Sequence, residues 1–249
     1  MRILVCKNYD EMSKKAAHYM MSQVTLKPNS ILGLATGSTP IGMYKELIRL
    51  NKEGLMDFSQ VTTFNLDEYC GLPQNNEQSY YTFMQENLFN HVNVKPEATH
   101  IPKGISDDFQ AECEAYDASI KAAGGIDIQV LGIGGNAHIG FNEPNQHFET
   151  GTHVVELDQS TIEANARFFD SIEEVPTKAI TMGIGSIFKS KKIMLLASGK
   201  GKAEAILGTV RGNIQSDVPA SILKLHSDVV LVLDQEAASL LDPSEYEMA

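Results

Sequence analysis

The sequence predicts an α/β protein with a mostly parallel central sheet covered by helices on both faces. Two observations carry that prediction. Short β-branched runs alternate with longer segments of helical periodicity along the whole chain. The runs are close to continuously apolar, as in strands buried on both faces, rather than alternating as in half-exposed ones. With 249 residues and no repeat, low-complexity tract or linker, the chain reads as one domain over 1–249.

Arg2 to Cys6 is the first strand. Asn8 or Asp10 caps the next helix, in which Met12, Ala16, Ala17, Met20 and Met21 recur at helical spacing as core filler. Pro28-Asn29 ends it, and Ser30 to Ala35 is a second strand. Pro40 opens a helix running to about Asn51. Val61–Leu66 is a third strand, and Glu77–Phe89 and Asp107–Ala122 are helical. Ile126–Leu131 is a strand that meets Gly132, Gly134, Gly135 and Gly140, so the chain must turn sharply there. Thr161–Phe168 is a short helix, Lys178–Met182 and Lys192–Ala197 are strands, Lys202–Val210 is a helix and Val229–Leu233 the final strand. Residues 146–176 are the least periodic, and a mobile lid is expected there.

Composition narrows the partners. A formal net charge of −12 argues against a general nucleic-acid or anionic-membrane surface. No apolar run is long enough to span a bilayer, and the strand pattern beginning at Arg2 leaves no room for a signal peptide. Cys6, Cys70 and Cys113 are odd in number and widely spaced, which fits reduced thiols and a cytoplasmic setting. No H-x-H, H-E-x-x-H or cysteine cluster suggests a metal, and no G-x-S-x-G elbow suggests a serine hydrolase.

Four loops after strands carry the chemistry. Thr36-Gly37-Ser38-Thr39 offers backbone N–H groups and hydroxyls at a helix start, which suits a phosphate monoester. It lacks the Gly-Lys ending of a nucleotide loop, and taken alone is equally a capped turn. Ser198-Gly199-Lys200-Gly201-Lys202 adds cations, and Arg167 lies in the expected lid. Asp67 and Glu68 stand together at the end of a strand; alternation points them opposite ways, so at most one faces a substrate, and a helix cap or ion pair remains open. In Leu131–Pro144, His138 and Glu143 are five apart with Asn136 and Asn142 nearby. If Glu143 orients His138, the imidazole is set for proton transfer near neutral pH.

Several motifs, in order across nearly the whole chain, then coincide with one family. T-G-S-T-P at 36–40, F-N-L-D-E-Y at 64–69, S-Y-Y at 79–81, G-N-A-H-I-G-F-N-E-P at 135–144, N-A-R-F-F at 165–169 and the S-G-K-G-K loop together resemble the glucosamine-6-phosphate deaminases. The resemblance implies a modified Rossmann-like fold, no metal or organic cofactor, and conversion of glucosamine 6-phosphate and water to fructose 6-phosphate and ammonia. It implies that His138 serves ring opening, held by Glu143 and Asn136, and that Asp67 moves the C2 proton to C1 with Glu68 in support. Thr36, Gly37, Ser38, Thr39, Arg167 and Lys202 would hold the phosphate. Asn136 stands where some members have Asp, so a charged relay there is unavailable and an altered pH profile is expected. The stretch His153-Val154-Val155-Glu156 lacks the basic residues of allosteric hexameric members, so a short, non-allosteric enzyme is expected, a monomer or small homo-oligomer. A sugar-phosphate sensor, a 6-phosphogluconolactonase or a galactosamine-6-phosphate isomerase are the competing readings; the sensor is disfavoured by Asp67, His138 and Glu143 all being present.

Overall fold

A computed structural model describes residues 1–249. In chain order its elements are β1 (Arg2–Cys6), α1 (Tyr9–Leu26), β2 (Ile31–Leu34), α2 (Ile41–Lys52), β3 (Thr62–Asn65), β4 (Asp67–Tyr69), α3 (Tyr80–Asn87), β5 (Thr99–His100) and α4 (Phe109–Ala123). They continue with β6 (Ile128–Leu131), β7 (His153–Glu156), α5 (Gln159–Asn165), β8 (Lys178–Thr181), α6 (Ile184–Phe188), β9 (Lys192–Ala197), α7 (Ala203–Arg211), β10 (Val229–Asp234) and β11 (Glu247–Met248). Side-chain caps fix the starts of α1, α3 and α4. Asn8 accepts from Glu11 N–H at the start of α1, and Asp108 from Ala111 N–H at the start of α4. Ser79 accepts from Thr82 N–H, which starts α3 at Tyr80 rather than Glu77.

Eight strands form one sheet in the order β11-β1-β10-β9-β6-β2-β3-β5, every pair parallel. Its central strands are apolar on both faces; Val5, Leu32, Val130, Leu195 and Leu231 are all fully buried. Right-handed crossovers put α1 and α2 on one face, and the return of the chain to β6 and β10 puts α4 and α7 on the other. From β2 the chain moves outward to β3, whereas from β6 it moves the opposite way to β9. The adjacent ends of β2 and β6 therefore make a topological switch point, with the loops after both strands on its two lips.

Three segments depart from the sequence reading. Lys178–Thr181 does not join the parallel sheet: it pairs antiparallel with β4 and β7 in a second, three-stranded sheet. The third strand ends early because Leu66, whose N–H still bonds Leu34, gives its carbonyl to Met182, and the chain leaves the main sheet there. Strands of three or four residues have too little pattern to announce a partner. Inside 146–176 the unexpected element is the strand β7; α5 and the 3₁₀ turn at Ala166–Phe168 stand where the short helix at Thr161–Phe168 is expected, followed by a 3₁₀ turn at Ile172–Glu174. A small apolar cluster of Tyr69, Phe141, Leu157 and Ala179, with Phe169 against it, ties this segment to the second sheet.

Candidate active site

The crevice at the switch point opens into a cleft of about 780 Å³, within the usual range for a small-molecule site. Thr36, Gly37, Ser38, Thr39, Asp67, Asn136, His138, Arg167 and Lys202 all line it. Glu143 stands behind His138, and Glu68 faces away.

Leaving the main sheet at Leu66 turns Asp67 into the cleft and Glu68 to the other side of β4. Asp67 is only 6% exposed. Burial first, and the neighbouring Glu68 second, push its carboxyl up to about 8, against a hydrogen bond from the Thr36 hydroxyl. Glu68 is buried too, and its oxygens accept the backbone N–H groups of Tyr69, Tyr80 and Tyr81 at 2.9, 2.9 and 3.0 Å. Those of Tyr80 and Tyr81 open α3, so Glu68 caps a helix, which satisfies a first turn that has no intrahelical acceptors. Burial still raises the Glu68 carboxyl on balance.

The glycine turn after β6 aims the imidazole. A Cβ on Gly134 would lie 2.4 to 2.6 Å from three atoms of the His138 ring, so only glycine lets the ring lie against this backbone. Ala137, with φ 67°, takes the left-handed conformation that completes the turn. His138 Nδ1 is 3.0 Å from Glu143 Oε2, and the Glu143 side chain is only 6% exposed. Asn136 donates from Nδ2 to the same oxygen at 2.8 Å and accepts His138 N–H on Oδ1 at 3.2 Å. Thr161, from α5, donates its hydroxyl to Glu143 Oε1 at 2.5 Å. Burial pushes the Glu143 carboxyl up, but the bond and charge of His138 and the bonds from Thr161 and Asn136 outweigh it. The net direction is down. An ionised acceptor at Nδ1 selects the tautomer protonated there, leaving Nε2 free to exchange a proton with a bound molecule. Asn142, also in this turn, instead pins it, donating to the carbonyls of Ile139 and Met182.

The other end of the cleft suits an anion. Gly37, at φ 86°, turns the loop between β2 and α2. Tyr9 fixes that loop by donating to the Ser38 carbonyl and accepting the Gly42 N–H at the helix start. Arg167 Nη2 reaches Ser38 Oγ at 3.3 Å, and Lys202 sits at the N-terminus of α7. Neither cation is in an ion pair. Burial, and then the charge of Arg167, pull the Lys202 ammonium down. Two adjacent uncompensated cations beside a helix N-terminus have the charge and donors that an anion would need. Ser198 donates to Asp234 at 2.5 Å, which holds the loop carrying Lys202, whereas Lys200 is exposed and outside the lining.

Tyr80, Thr161 and Asn165 also line the cleft and escape sequence reasoning as site residues. Tyr80 lies in the S-Y-Y motif, but no chemistry follows from that motif alone. Thr161 reads only as a helix-start residue. No three His, Cys, Asp or Glu side chains are grouped as a metal would require.

Comparison with known proteins bears out the family that the motifs resemble. The family described as glucosamine-6-phosphate isomerases/6-phosphogluconolactonase matches residues 7–232. The glucosamine-6-phosphate deaminase of Clostridioides difficile (strain 630) is 63% identical over 248 residues, 100% of both chains. That of Thermoanaerobacter sp. (strain X514) is 59% identical over 97% of this chain and 95% of its own. Among solved structures, a monomeric glucosamine-6-phosphate deaminase superposes with a TM-score of 0.94 at 50% identity, covering 96% of this chain and 100% of that one. The 6-phosphogluconolactonase of Trypanosoma brucei, at 18% identity and a TM-score of 0.76, covers 97% of this chain and 98% of its own and shares the fold. The chain belongs to the family of glucosamine-6-phosphate isomerases and 6-phosphogluconolactonases.

Proposed function

We propose that this cleft converts glucosamine 6-phosphate and water into fructose 6-phosphate and ammonia, a step of amino-sugar breakdown. The observation that carries the reading is the pairing of a buried, high-pKa carboxyl with a carboxylate-held imidazole in one cleft whose far end holds two unpaired cations. Relatives named for this deaminase at 59–63% identity over nearly the full chain support it.

Thr36–Thr39, Arg167 and Lys202 hold the phosphate, and its dianion restores the proton affinity that Lys202 loses to burial and Arg167. With the phosphate fixed, the sugar ring lies toward His138. Its Nε2 takes the proton of the C1 hydroxyl and returns it to the ring oxygen, so the ring opens to the aldehyde. Asp67 then removes the C2 proton; the C2–H pair forms the C1–C2 double bond, and the C1 oxygen takes a proton given up by the substrate's C2 ammonium, which becomes the NH2 of an enolamine. Asp67 delivers the proton to C1, which leaves C2 as an imine. Water adds at C2 and ammonia departs. No bond change requires an oxidant or a cofactor. Closure of 146–176, which carries Thr161 and Arg167, shields these steps from solvent.

Ammonia and fructose 6-phosphate release, measured with EDTA present, tests the reading. Wild type is expected to turn over, and Asp67→Asn to bind substrate but fail by about 10²- to 10⁴-fold. Binding without release by wild type would favour a sensor. Lactone hydrolysis needs no C2 base, so a 6-phosphogluconolactonase activity surviving Asp67→Asn would favour that alternative. We also propose a monomer without cooperativity, supported by the monomeric relative and by Glu156 in place of a cation; sigmoidal kinetics relieved by N-acetylglucosamine 6-phosphate would overturn this.

A further inference from the structure

We infer that Thr161 is a positioning residue that clamps Glu143, so that the seating of the α5 segment over the cleft sets the alignment of the His138 imidazole. This rests on the reading of His138 and Glu143 as the ring-opening pair. Three contacts reach from this segment to the lips of the cleft. Arg167 meets Ser38 at the phosphate end. Asp158 accepts from Asn136 Nδ2 at 3.4 Å, and Thr161 donates to Glu143 at the imidazole end. The Thr161 contact is the buried one, since Thr161 is 5% exposed.

The donor count shows why one hydroxyl matters. Glu143 Oε2 is taken by His138 and Asn136, both from its own glycine turn. Oε1 is taken by Thr161. Without that hydroxyl, one oxygen of a desolvated carboxylate is left without a donor on the segment side. The charged form loses a stabilising bond, and the carboxylate plane loses one of the points that hold it square to Nδ1. The ionisable groups facing Glu143 are His138 in its own turn and Asp158 from the segment. His147, Glu149 and His153 line the small hollow behind it. A valine keeps the shape and removes only the donor.

The test compares wild type, Thr161→Val and Thr161→Ser in two assays. In turnover of glucosamine 6-phosphate, Thr161→Val is expected to lower kcat about tenfold with KM changed much less, the low end of what a lost charge-assisted hydrogen bond is worth. The limb of the pH profile that reports Glu143 moves to higher pH, and Thr161→Ser restores both. In the substrate-free protein, ¹⁵N NMR of the labelled His138 ring is expected to show Nδ1 protonated in wild type and Thr161→Ser, with a changed titration midpoint in Thr161→Val. Identical His138 titration in all three proteins would overturn the clamp, as would equal impairment of the valine and serine variants, which marks plain packing. Should wild type release no ammonia, the functional reading falls while the NMR comparison still decides the clamp. Should Thr161→Val fail to fold, Thr161→Ala is carried through the same two assays.

Discussion

Asp67 makes the sharpest prediction, because its environment affects stability as well as activity. A carboxyl that titrates at 3.8 in the unfolded chain and about 8 in the folded one binds its proton more tightly when folded. The stability that this proton contributes is complete below pH 3.8 and drains away as pH rises toward 8, at about 1.4 kcal/mol per unit. From pH 5 to pH 7 the loss is about 2.7 kcal/mol, and by pH 7 the accumulated penalty is about 4 kcal/mol. Asp67→Asn keeps the shape, still offers the Thr36 hydroxyl an acceptor and cannot ionise. The variant should therefore be more stable than wild type at pH 7 by about 4 kcal/mol, with an advantage that grows steadily from pH 5. Urea denaturation of both proteins at pH 5, 6, 7 and 8 with a common m-value measures it. A stability difference that does not change with pH would falsify the desolvated Asp67, and with it the physical basis for a base tuned near neutrality. A base matched to its working pH is held against folding, so turnover should vanish in the same variant that gains stability.

Other changes separate the remaining parts of the site. Glu68→Gln removes the like charge beside Asp67, so the acidic limb of kcat/KM should move to lower pH; an unmoved limb would show that the two carboxyls do not interact. Lys202→Ala should raise both KM and the inhibition constant of inorganic phosphate about 10- to 100-fold with little change in kcat, and unchanged inhibition by phosphate would remove Lys202 from the anion site. Gly134→Ala drives a methyl group into the His138 ring. It should lower kcat about 10²-fold at near-normal stability, and wild-type kcat would mean that the ring need not lie where it does.

Much of the architecture is legible in the chain. The apolar runs at Arg2–Cys6, Ile31–Leu34, Ile128–Leu131, Lys192–Ala197 and Val229–Asp234 declare buried parallel strands because such strands are covered on both faces. The loops after them are recognisable by composition: small residues at Thr36–Thr39, glycines around His138, cations at Lys200 and Lys202. Their chemistry is local, so sequence suffices to find it. The two-residue strands β5 and β11 carry no period at all, and the second sheet is invisible because β4, β7 and β8 pair across long stretches of chain.

What the sequence by itself determines is the set of residue types placed at strand ends and the order in which they arrive. Tertiary structure decides which of them meet. The switch between β2 and β6 brings residues 36–39 and 132–143 to one crevice although nearly a hundred residues separate them. The exit of the chain at Leu66 divides adjacent acids into a cleft carboxyl, Asp67, and a helix cap, Glu68. The packing of α5 lays Thr161 on Glu143. Burial and hydrogen-bond donors shift a carboxyl in opposite directions, and packing sets the balance: burial raises Asp67, while donors from its own turn and from Thr161 on α5 lower Glu143.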